Sequence, residues 1–509
     1  MELELKKTAL DAYESIGEIL LTQEETAETI VPDYCPDIAR MIETDGKVFL
    51  HSREKREGKI EYAGTVKVTV LYVPEGKAGI QSLELMIPFR MESDHKGLTA
   101  CQHMFAEVDI ESLETRMLNP RKVFSRCKLI ARITGYRMAP LQICTVILVG
   151  DAKTGIEKRN EQQTATFLTK LLEKDFTFTD QLNISPGREG ISEIMNYRIN
   201  GTVSESKVLG NKVVLKGLFS VSLLYKNTEG QYRSCNSELP FSQIMDAEGA
   251  AESAAVQVKL QVTGADIQID GDDPEGRQMA VTLYFRVFAA LREVQEVDLL
   301  QDFYSTAYEV RYEAAPLQLT EYYQAFSQRQ MVREVLEIGS PADMLLTTSV
   351  ICKNVTTNTD GELRTSACVK VLYLDENGMP LLAERTLEIR SQLEIPKGTR
   401  VWGKAVCTEP PQVTLGDRGI EVRFTVDFQM EQEKQQRKIY ITAAELDESA
   451  PKDGEAVPSL VLRCLNPQET VWDLAKKHNS TIETILKANQ LEGVELPANH
   501  LLLIPRKRG

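Results

Sequence analysis

Residues that could do chemistry are few in this chain, and their spacing fits no established catalytic or metal-binding pattern. His95, Cys101 and His103 lie close together and could ligate a metal ion, because imidazole and thiolate are common zinc ligands. Their spacing matches no standard zinc pattern and no fourth ligand is evident, so we expect no metal site there. Asp33 and Asp37 could imitate a pair of catalytic carboxylates, but they flank a Cys-Pro sequence, where turn formation and helix capping are more common roles.

Sequence motifs of the common enzyme classes are absent. The chain contains no G-x-x-x-x-G-K-[ST] phosphate-binding loop, no H-E-x-x-H zinc motif and no G-x-S-x-G nucleophile motif. Five histidines in 509 residues leave few groups for acid–base catalysis near neutral pH. We therefore expect a non-enzymatic protein with no catalytic residues and no cofactor. The alternative is an enzyme that uses its C-terminal segment for targeting, which would require a pocket with perturbed carboxylates in one part of the chain.

The C-terminal segment from Ser459 to Gly509, called the tail from here on, has the sequence pattern of a small α+β unit. Apolar runs predict strands at Leu460–Cys464 and Leu501–Pro505. Between them, apolar residues recur at helical spacing in two short stretches, which are Val471, Leu474 and Ala475, then Ile482, Ile485 and Leu486. The predicted order of elements is therefore βααβ.

Polar residues mark the starts of the two predicted helices of the tail. Thr470 is followed three residues later by Asp473, and Ser480 is followed three residues later by Glu483. This is the spacing of a capping box, in which the two side chains bond reciprocally to free backbone N–H groups of the first turn. We expect the helices to begin directly after Thr470 and Ser480.

The tail resembles a LysM domain. The resemblance rests on three segments, which run from Glu469 to Lys477, from Ile485 to Leu491 and from Leu501 to Pro505. LysM domains typically bind N-acetylglucosamine polymers such as peptidoglycan and chitin. The resemblance implies a binding groove between residues 466–471 and 489–494.

Two loop positions depart from the LysM pattern. Gln468 stands where the family commonly has a glycine before its acidic-Thr pair, and Pro497-Ala498 stands where the family commonly has Pro-Gly. If those glycines hold positive φ, another residue costs about 1 kcal/mol or remodels the loop. The fold would tolerate both changes, whereas glycan binding depends on the loop backbone and would be affected.

Seven tail residues are the predicted partner-binding residues: Leu460, Val461, Glu469, Thr470, Trp472, Asn489 and Leu491. Trp472 is one of two tryptophans in the chain, and tryptophan is enriched at protein interfaces. Its neighbour Val471 belongs to the buried stripe of the helix, so Trp472 points about 100° away and is expected to be partly exposed. Packing at the periphery of the core is the first interpretation of Trp472, and packing in the strand core is the first interpretation of Leu460 and Val461. A role at an interface is the second interpretation of all three.

The first 458 residues contain a three-fold internal repeat that is clearest at one strand. The strand ends at Tyr72, Tyr225 and Tyr373, with an apolar residue at every second position before each tyrosine. A leucine precedes each tyrosine and a glycine-containing turn follows it: Leu71, Leu224 and Leu372, then Gly76, Gly230 and Gly378. The alternation predicts half-buried antiparallel strands with the tyrosines in the core. Repetition at domain length indicates one module used three times, which favours assembly over catalysis.

The fold class expected from these patterns is multidomain and mainly β, with three tandem β-rich repeats and the small α+β tail. Short helices are predicted within the repeats at Ile38–Ile42, Phe167–Glu173 and Tyr322–Glu337. The predicted boundaries are 1–25 for an N-terminal helical segment, 26–165 for repeat 1, 166–320 for repeat 2, 321–444 for a divergent repeat 3, 445–458 for a linker and 459–509 for the tail. The linker contains two prolines and is acidic, so we expect it to be extended and mobile.

The charge is unevenly distributed along the chain. The net charge is −16, with +2 on the tail and −18 on residues 1–458, which argues against general nucleic-acid binding.

The nine cysteines are scattered, odd in number and never form a C-x-x-C pair, which indicates reduced thiols rather than a disulfide framework. The N-terminus lacks the apolar core of a signal peptide, and no apolar run approaches the ~20 residues needed to span a bilayer. We therefore expect a cytoplasmic protein.

Three β-rich repeats followed by a LysM-like tail resemble the architecture of the SPOCS-domain spore coat morphogenetic proteins. The SipL type is the nearer match and the SpoVID type the more distant. Within the repeats, the resemblance rests on the segments Val31 to Ile38 and Gly64 to Tyr72. It implies a scaffold in the mother-cell cytoplasm, at the forespore surface, whose tail engages a SpoIVA-like coat ATPase. Other coat proteins or a second copy of the chain are further expected partners, and peptidoglycan binding through the tail is the alternative function.

Overall fold

The computed structural model describes residues 4–56, 58–76, 79–148, 155–184, 189–271, 273, 275–358, 360–416, 419–452, 458–466, 469–494 and 500–506. The chain is mainly β, as predicted. Three β-rich modules precede the tail: module 1 (residues 4–148), module 2 (residues 156–305) and module 3 (residues 308–451). Together the three modules are called the body.

The elements follow one another in the same general order in each module. Module 1 contains β1 (Glu4–Leu10), β2 (Tyr13–Ile30), β3 (Ile38–Arg56), β4 (Lys59–Pro74), β5 (Gln81–Ser93), α1 (Lys96–Thr99), β6 (His103–Asn119), β7 (Lys122–Met138) and β8 (Leu141–Leu148). Module 2 contains β9 (Ile156–Asn183), β10 (Ile191–Leu209), β11 (Lys212–Asn227), β12 (Tyr232–Asp246), β13 (Ala255–Ile269) and β14 (Gln278–Ser305). Module 3 contains β15 (Tyr308–Glu337), β16 (Ala342–Cys352), β17 (Thr356–Thr357), β18 (Glu362–Asp375), β19 (Pro380–Gln392), β20 (Thr399–Val406), β21 (Gln412–Leu415) and β22 (Gly419–Pro451). The tail contains β23 (Leu460–Cys464), α2 (Val471–Lys477), α3 (Ile482–Asn489) and β24 (Leu501–Pro505).

Each module is a sandwich of two antiparallel sheets with a shared strand order. One sheet is β3-β4-β5 in module 1, β10-β11-β12 in module 2 and β16-β18-β19 in module 3. The other is β2-β7-β6, then β9-β14-β13, then β15-β22-β20. Inward-facing apolar side chains form one core in each sandwich, and these cores include the three repeated tyrosines, as predicted: Tyr72, Tyr225 and Tyr373.

The leucines that precede those tyrosines point away from the sandwich cores and meet one another. Leu71, Leu224 and Leu372 are each 1 % exposed and belong to one cluster. Each module contributes one more residue to this cluster, from a β-bulge in the strand that pairs with the repeated strand. The bulge lies at the equivalent position in each module, and its residues are Ile42, Met195 and Leu346. These six residues are named the axial cluster. Equivalent side chains from three modules therefore pack together in an approximate three-fold arrangement.

The first and last strands of each module also extend beyond its sandwich and pair as a two-stranded ribbon. Ribbon 1 is β1 with β8, ribbon 2 is residues 156–168 with 292–305, and ribbon 3 is residues 308–320 with 435–451. Their apolar faces pack against each other in two clusters that draw residues from all three modules. The modules are thus joined at the axial cluster and at the ribbons, and the pairing of Tyr13 with Leu168 also connects modules 1 and 2 in one six-stranded sheet.

Buried charged groups link modules 1 and 2 near the axial cluster. Arg198 of module 2 lies 2.9 Å from Glu43 and 3.3 Å from Asp45 of module 1. Lys47 donates a hydrogen bond to Asn196 at 2.9 Å. Burial alone would raise the pKa of Asp45, but the charges of Arg198 and Lys47 outweigh it and hold the pKa below its usual value of 3.8.

We expect Asp45→Asn to lower the free energy of unfolding by about 2 kcal/mol near neutral pH, because it removes one of the two buried carboxylates, Glu43 and Asp45, that balance Arg198 and Lys47. A carboxylate whose pKa is lowered by folding stabilises the fold above its usual pKa, and this contribution is lost as the pH falls through the folded-state pKa. The difference in free energy of unfolding between the native chain and the variant should therefore be constant above about pH 5. It should shrink as the pH falls below 3.8, the usual pKa of an aspartate. Urea unfolding at several pH values measures this difference. A difference that increased on acidification would contradict the stabilising contacts of Asp45 with Arg198 and Lys47.

Four segments predicted to be helical are strands. The N-terminal segment 1–25 contributes β1 and β2 from residue 4 onward, and Ile38–Ile42, Phe167–Glu173 and Tyr322–Glu337 lie in β3, β9 and β15. Their outward-facing positions carry good helix formers such as Gln, Glu and Arg. Each segment pairs with neighbouring strands, so cross-strand pairing and burial override local helix propensity.

The module boundaries also differ from those predicted. The positions 165/166 and 320/321 fall inside β9 and β15, because the ribbons extend modules 2 and 3 toward the N-terminus. Residues 445–451 of the predicted linker belong to β22 and pair with β15. Residues 453–457 lie outside the described part of the chain.

Candidate partner-binding site

The tail is a two-stranded antiparallel sheet with two helices on one face. β23 pairs with β24 from Leu460 opposite Pro505 to Cys464 opposite Leu501, at the positions predicted from the sequence. Val461 and the inward-facing residues of β24 pack against α2 and α3 to form the tail core. The order βααβ is the one that the sequence pattern predicts.

One of the two predicted capping boxes is present. Thr470 and Asp473 bond reciprocally at the start of α2, as predicted. The cap of α3 is Thr481, whose hydroxyl accepts a hydrogen bond from the Thr484 backbone, and the prediction of Ser480 is wrong by one residue. The Ser480 hydroxyl instead donates to a backbone carbonyl of β24, so it is engaged in joining the helices to the sheet.

The face of the tail sheet that points away from the helices is apolar and exposed. Leu460, Leu462 and Leu501 are 52 %, 62 % and 54 % exposed. Leu503 lies on the same face because it pairs with Leu462. These four leucines are named the outer face. A solvent-facing side of an antiparallel sheet normally carries polar residues, and contiguous exposed apolar groups mark interaction sites.

The structure separates the two predicted strand residues. Leu460 lies on the outer face, whereas Val461 is half-buried and packs against the tail core. Leu462, the most exposed of the tail leucines, is absent from the predicted set. The period-two alternation of a strand places it on the same face as Leu460, so the signal is present in the sequence.

The other predicted residues mostly hold the tail together. Glu469 pairs with Arg463 at 2.9 Å, and Thr470 caps α2. Asn489 joins α3 to β24, since its amide donates to the Leu503 carbonyl at 2.6 Å and accepts from the Leu503 N–H at 2.8 Å. Leu491 packs against the tail core. The loop positions that depart from the LysM pattern, at 468 and 497–498, lie outside the described residues.

Trp472 is buried against the body and not partly exposed as predicted. It is 5 % exposed, and its indole Nε1 donates a hydrogen bond to Asp302 Oδ2 at 2.8 Å. Its ring meets the ring of Tyr304 edge-on, with 5.0 Å between centroids. The side chain points away from the buried stripe of α2 as expected, but the end of ribbon 2 covers it.

Three further contacts fix the tail to the body. Lys476 pairs with Asp302 Oδ1 at 2.6 Å, the Tyr304 hydroxyl donates to the Ser480 carbonyl at 2.7 Å, and Lys452 donates to Asn479 Oδ1 at 2.9 Å. Burial lowers the pKa of Lys452. The docking contact is the set Asp302, Tyr304, Lys452, Trp472, Lys476, Asn479 and Ser480. The tail therefore packs on the body and is not a freely tethered unit.

The residues considered for metal binding or catalysis have structural contacts. The guanidinium of Arg121 donates to Asp33 at 2.9 Å and to Asp37 at 3.1 Å, which fixes the loop before β3. The His103 ring packs edge-on to Tyr13, and the Cys101 thiol donates to a backbone carbonyl of α1. Among the described residues, no group of three or more His, Cys, Asp or Glu side chains could hold a metal ion.

All nine cysteines are free thiols, as the sequence pattern indicates. Within the described part of the chain, no helix has the length and apolar content needed to cross a membrane.

Comparison with known families identifies two regions of the body. Residues 37–118 and 190–270 match the family model described as SipL, SPOCS domain. The matched regions begin at β3 and β10 and end within β6 and just after β13, so they cover equivalent parts of modules 1 and 2. The chain is thus SipL-like in these regions, which relates it to sporulation and the spore coat. Curated proteins and solved structures give no match.

Proposed function

We propose that this chain is a non-enzymatic scaffold of the spore coat. Its tail docks on a coat morphogenetic protein, a SpoIVA-like ATPase, at the forespore surface in the mother-cell cytoplasm. The SPOCS-domain match supports the link to the coat. The apolar outer face of the tail is the observation that supports docking on a protein partner.

The chemistry of the outer face favours a protein partner over a glycan. Its four leucines offer no charged side chain and no hydrogen-bonding side chain. Burying an exposed leucine side chain contributes about 1.5–3 kcal/mol, so a few of them can supply the apolar centre of an interface. Polysaccharide recognition would instead use backbone and polar groups of the loops.

The construction of the body favours a scaffold. The sandwiches are joined through the axial cluster and the ribbons, which gives one platform built from three modules. The body carries the large negative charge of the chain and so offers acidic surface to basic coat components. In this proposal, other coat proteins or a second copy of the chain contact the modules.

Replacing Leu462 with Asp is expected to reduce capture of the recombinant SpoIVA-like ATPase by the full-length chain at least about tenfold, because a carboxylate would be desolvated in the interface. The immobilised full chain serves as bait, and the bound ATPase is quantified. Met331→Asp is the matched control, since Met331 is an exposed apolar residue of module 3 at 77 % exposure.

Equal capture by the Leu462→Asp chain and the native chain would contradict the assignment of the outer face. Sedimentation with insoluble peptidoglycan is the parallel measurement. Binding to peptidoglycan without binding to the ATPase would favour the glycan-binding function instead.

A further inference from the structure

We propose that Asp302 and Tyr304 are positioning residues for the tail. They hold it at the end of ribbon 2 through Trp472, so that the outer face is presented at a fixed place on the body. The role of Trp472 is then to anchor the tail within its own chain rather than to contact the partner. The partner in this inference rests on the proposed function, whereas the docking contact does not depend on it.

Asp302 makes a two-point contact with α2. One carboxylate oxygen accepts from the Trp472 indole at 2.8 Å and the other pairs with the Lys476 ammonium at 2.6 Å. Trp472 and Lys476 are four residues apart and so project from the same side of the helix. Two bonds from one carboxylate to two points along a helix fix both its position and its rotation. The Asp302 side chain is 14 % exposed and that of Lys476 is 36 % exposed, so the ion pair is partly shielded from solvent.

Tyr304 completes the core of the tail although it belongs to the body. It is 1 % exposed and lies in the same apolar cluster as Val471, Leu474 and Ile485. Its hydroxyl donates to the Ser480 carbonyl in the turn between the two helices. Burial raises the pKa of Tyr304, so the hydroxyl keeps the proton that it donates. A tail removed from the body would expose this part of its core.

Further groups of the ribbons close the contact. The Arg159 guanidinium lies 5.6 Å from the centre of the Trp472 ring, and the Lys476 ammonium lies 5.7 Å from the centre of the Tyr312 ring. Each is within cation–π range. Ribbons 2 and 3 both contribute, so the tail is placed relative to two modules at once.

The docking contact and the outer face lie on different sides of the tail. α2 and α3 cover the inner face of the tail sheet, and α2 carries Trp472 and Lys476 against the body. The outer face is on the opposite side of the sheet, and Leu460, Leu462 and Leu501 remain exposed while the tail is docked. Docking and partner binding are therefore compatible, and a partner held by the outer face has a defined position relative to the modules.

The fluorescence of Trp472 tests the docking directly. Trp402→Phe leaves Trp472 as the only tryptophan of the full-length chain. In this background we expect Asp302→Ala to shift the emission to longer wavelength and to raise acrylamide quenching at least about threefold, because the indole becomes exposed. Asp302→Asn should give an intermediate result, since it keeps an acceptor for the indole but loses the ion pair. Glu296→Ala is the control, because Glu296 is an exposed carboxylate on the same strand.

Small-angle X-ray scattering of the same variants reports placement of the tail. We expect a larger radius of gyration for Asp302→Ala, with an unchanged unfolding midpoint of the body. Unchanged quenching and size in Asp302→Ala would overturn the inference, whatever the partner is. Leu462→Asp should leave the Trp472 emission unchanged while it reduces ATPase capture. Full capture by Leu462→Asp together with undocking by Asp302→Ala would therefore contradict the proposed function alone.

Discussion

Leu224→Asp is expected to disrupt the packing of the three modules at the axial cluster without unfolding them, while the ribbons still join the modules. Leu224 is 1 % exposed in the axial cluster, whereas the core of module 2 is formed by the residues on the other face of β11. The variant would lose a buried leucine and place a carboxylate between Leu71 and Leu372, at a cost of about 4 kcal/mol to the association of the modules. The sandwiches keep their own cores.

Disrupted packing between the modules is visible in two measurements. The radius of gyration from small-angle scattering should increase, and urea unfolding should become less cooperative, because the modules are coupled more weakly. The far-UV circular dichroism should keep its β signal. Leu209→Asp is the control, as Leu209 is a 49 % exposed leucine of the same module. Loss of β signal in Leu224→Asp would show that this leucine supports the fold of module 2 itself.

The sequence shows the repeated leucines but not what they do. Alternation identifies two faces of a strand, and the tyrosines mark the face that packs within each module. Which surface covers the other face depends on how the modules are arranged, and no local pattern encodes that arrangement. The bulge residues Ile42, Met195 and Leu346 give no local signal at all, since a bulge is visible only in the pairing register.

Pairing with strands distant in the sequence explains the wrong helix assignments. Segments such as Tyr322–Glu337 have the composition of a helix, and only a paired strand elsewhere in the chain makes them extended. In β15 the partner is β22, about 100 residues later. Contacts of such long sequence separation are beyond a local reading of composition and spacing.

In the tail, too, features set by neighbouring residues are predicted from the sequence, whereas a contact with distant residues is not. Its strands and the Thr470 cap follow from short-range spacing and are confirmed. The burial of Trp472 is not predictable in this way, because Asp302 and Tyr304 lie about 170 residues earlier. The helical geometry indicated where the indole points but not that another part of the chain covers it.

Two residues that face each other on neighbouring strands differ in size between the modules, and the differences compensate each other in the core. Gly64 faces Phe89 in module 1, and Gly217 faces Phe241 in module 2. The glycines lie eight residues before the repeated tyrosines, and module 3 has Thr365 facing Ile389 at that position. A larger residue on one strand therefore accompanies a smaller one on the other.

Gly217→Ala is expected to lower the free energy of unfolding by about 3 kcal/mol, because a core that is already filled has no room for the added methyl group. A Cβ atom at Gly217 would lie 2.5 Å from the Phe241 ring and closer still to the backbone carbonyl oxygen of Thr202. Adding Phe241→Ile should recover part of the loss, since it removes the ring but not the carbonyl. Module 3 avoids the second contact, because β16 ends at Cys352 and the Thr365 hydroxyl donates to the carbonyl of Lys353.

Urea unfolding of the single and double variants measures both effects. Gly271→Ala is the matched control in module 2, since a Cβ atom there meets nothing within 4 Å. A loss in Gly217→Ala no larger than in Gly271→Ala would contradict the close approach of Phe241 and Thr202. A double variant less stable than Gly217→Ala would mean that the Phe241 ring stabilises the core more by filling it than it destabilises the core by crowding the new methyl group. The pairing of Thr365 with Ile389 in module 3 would then need a different explanation.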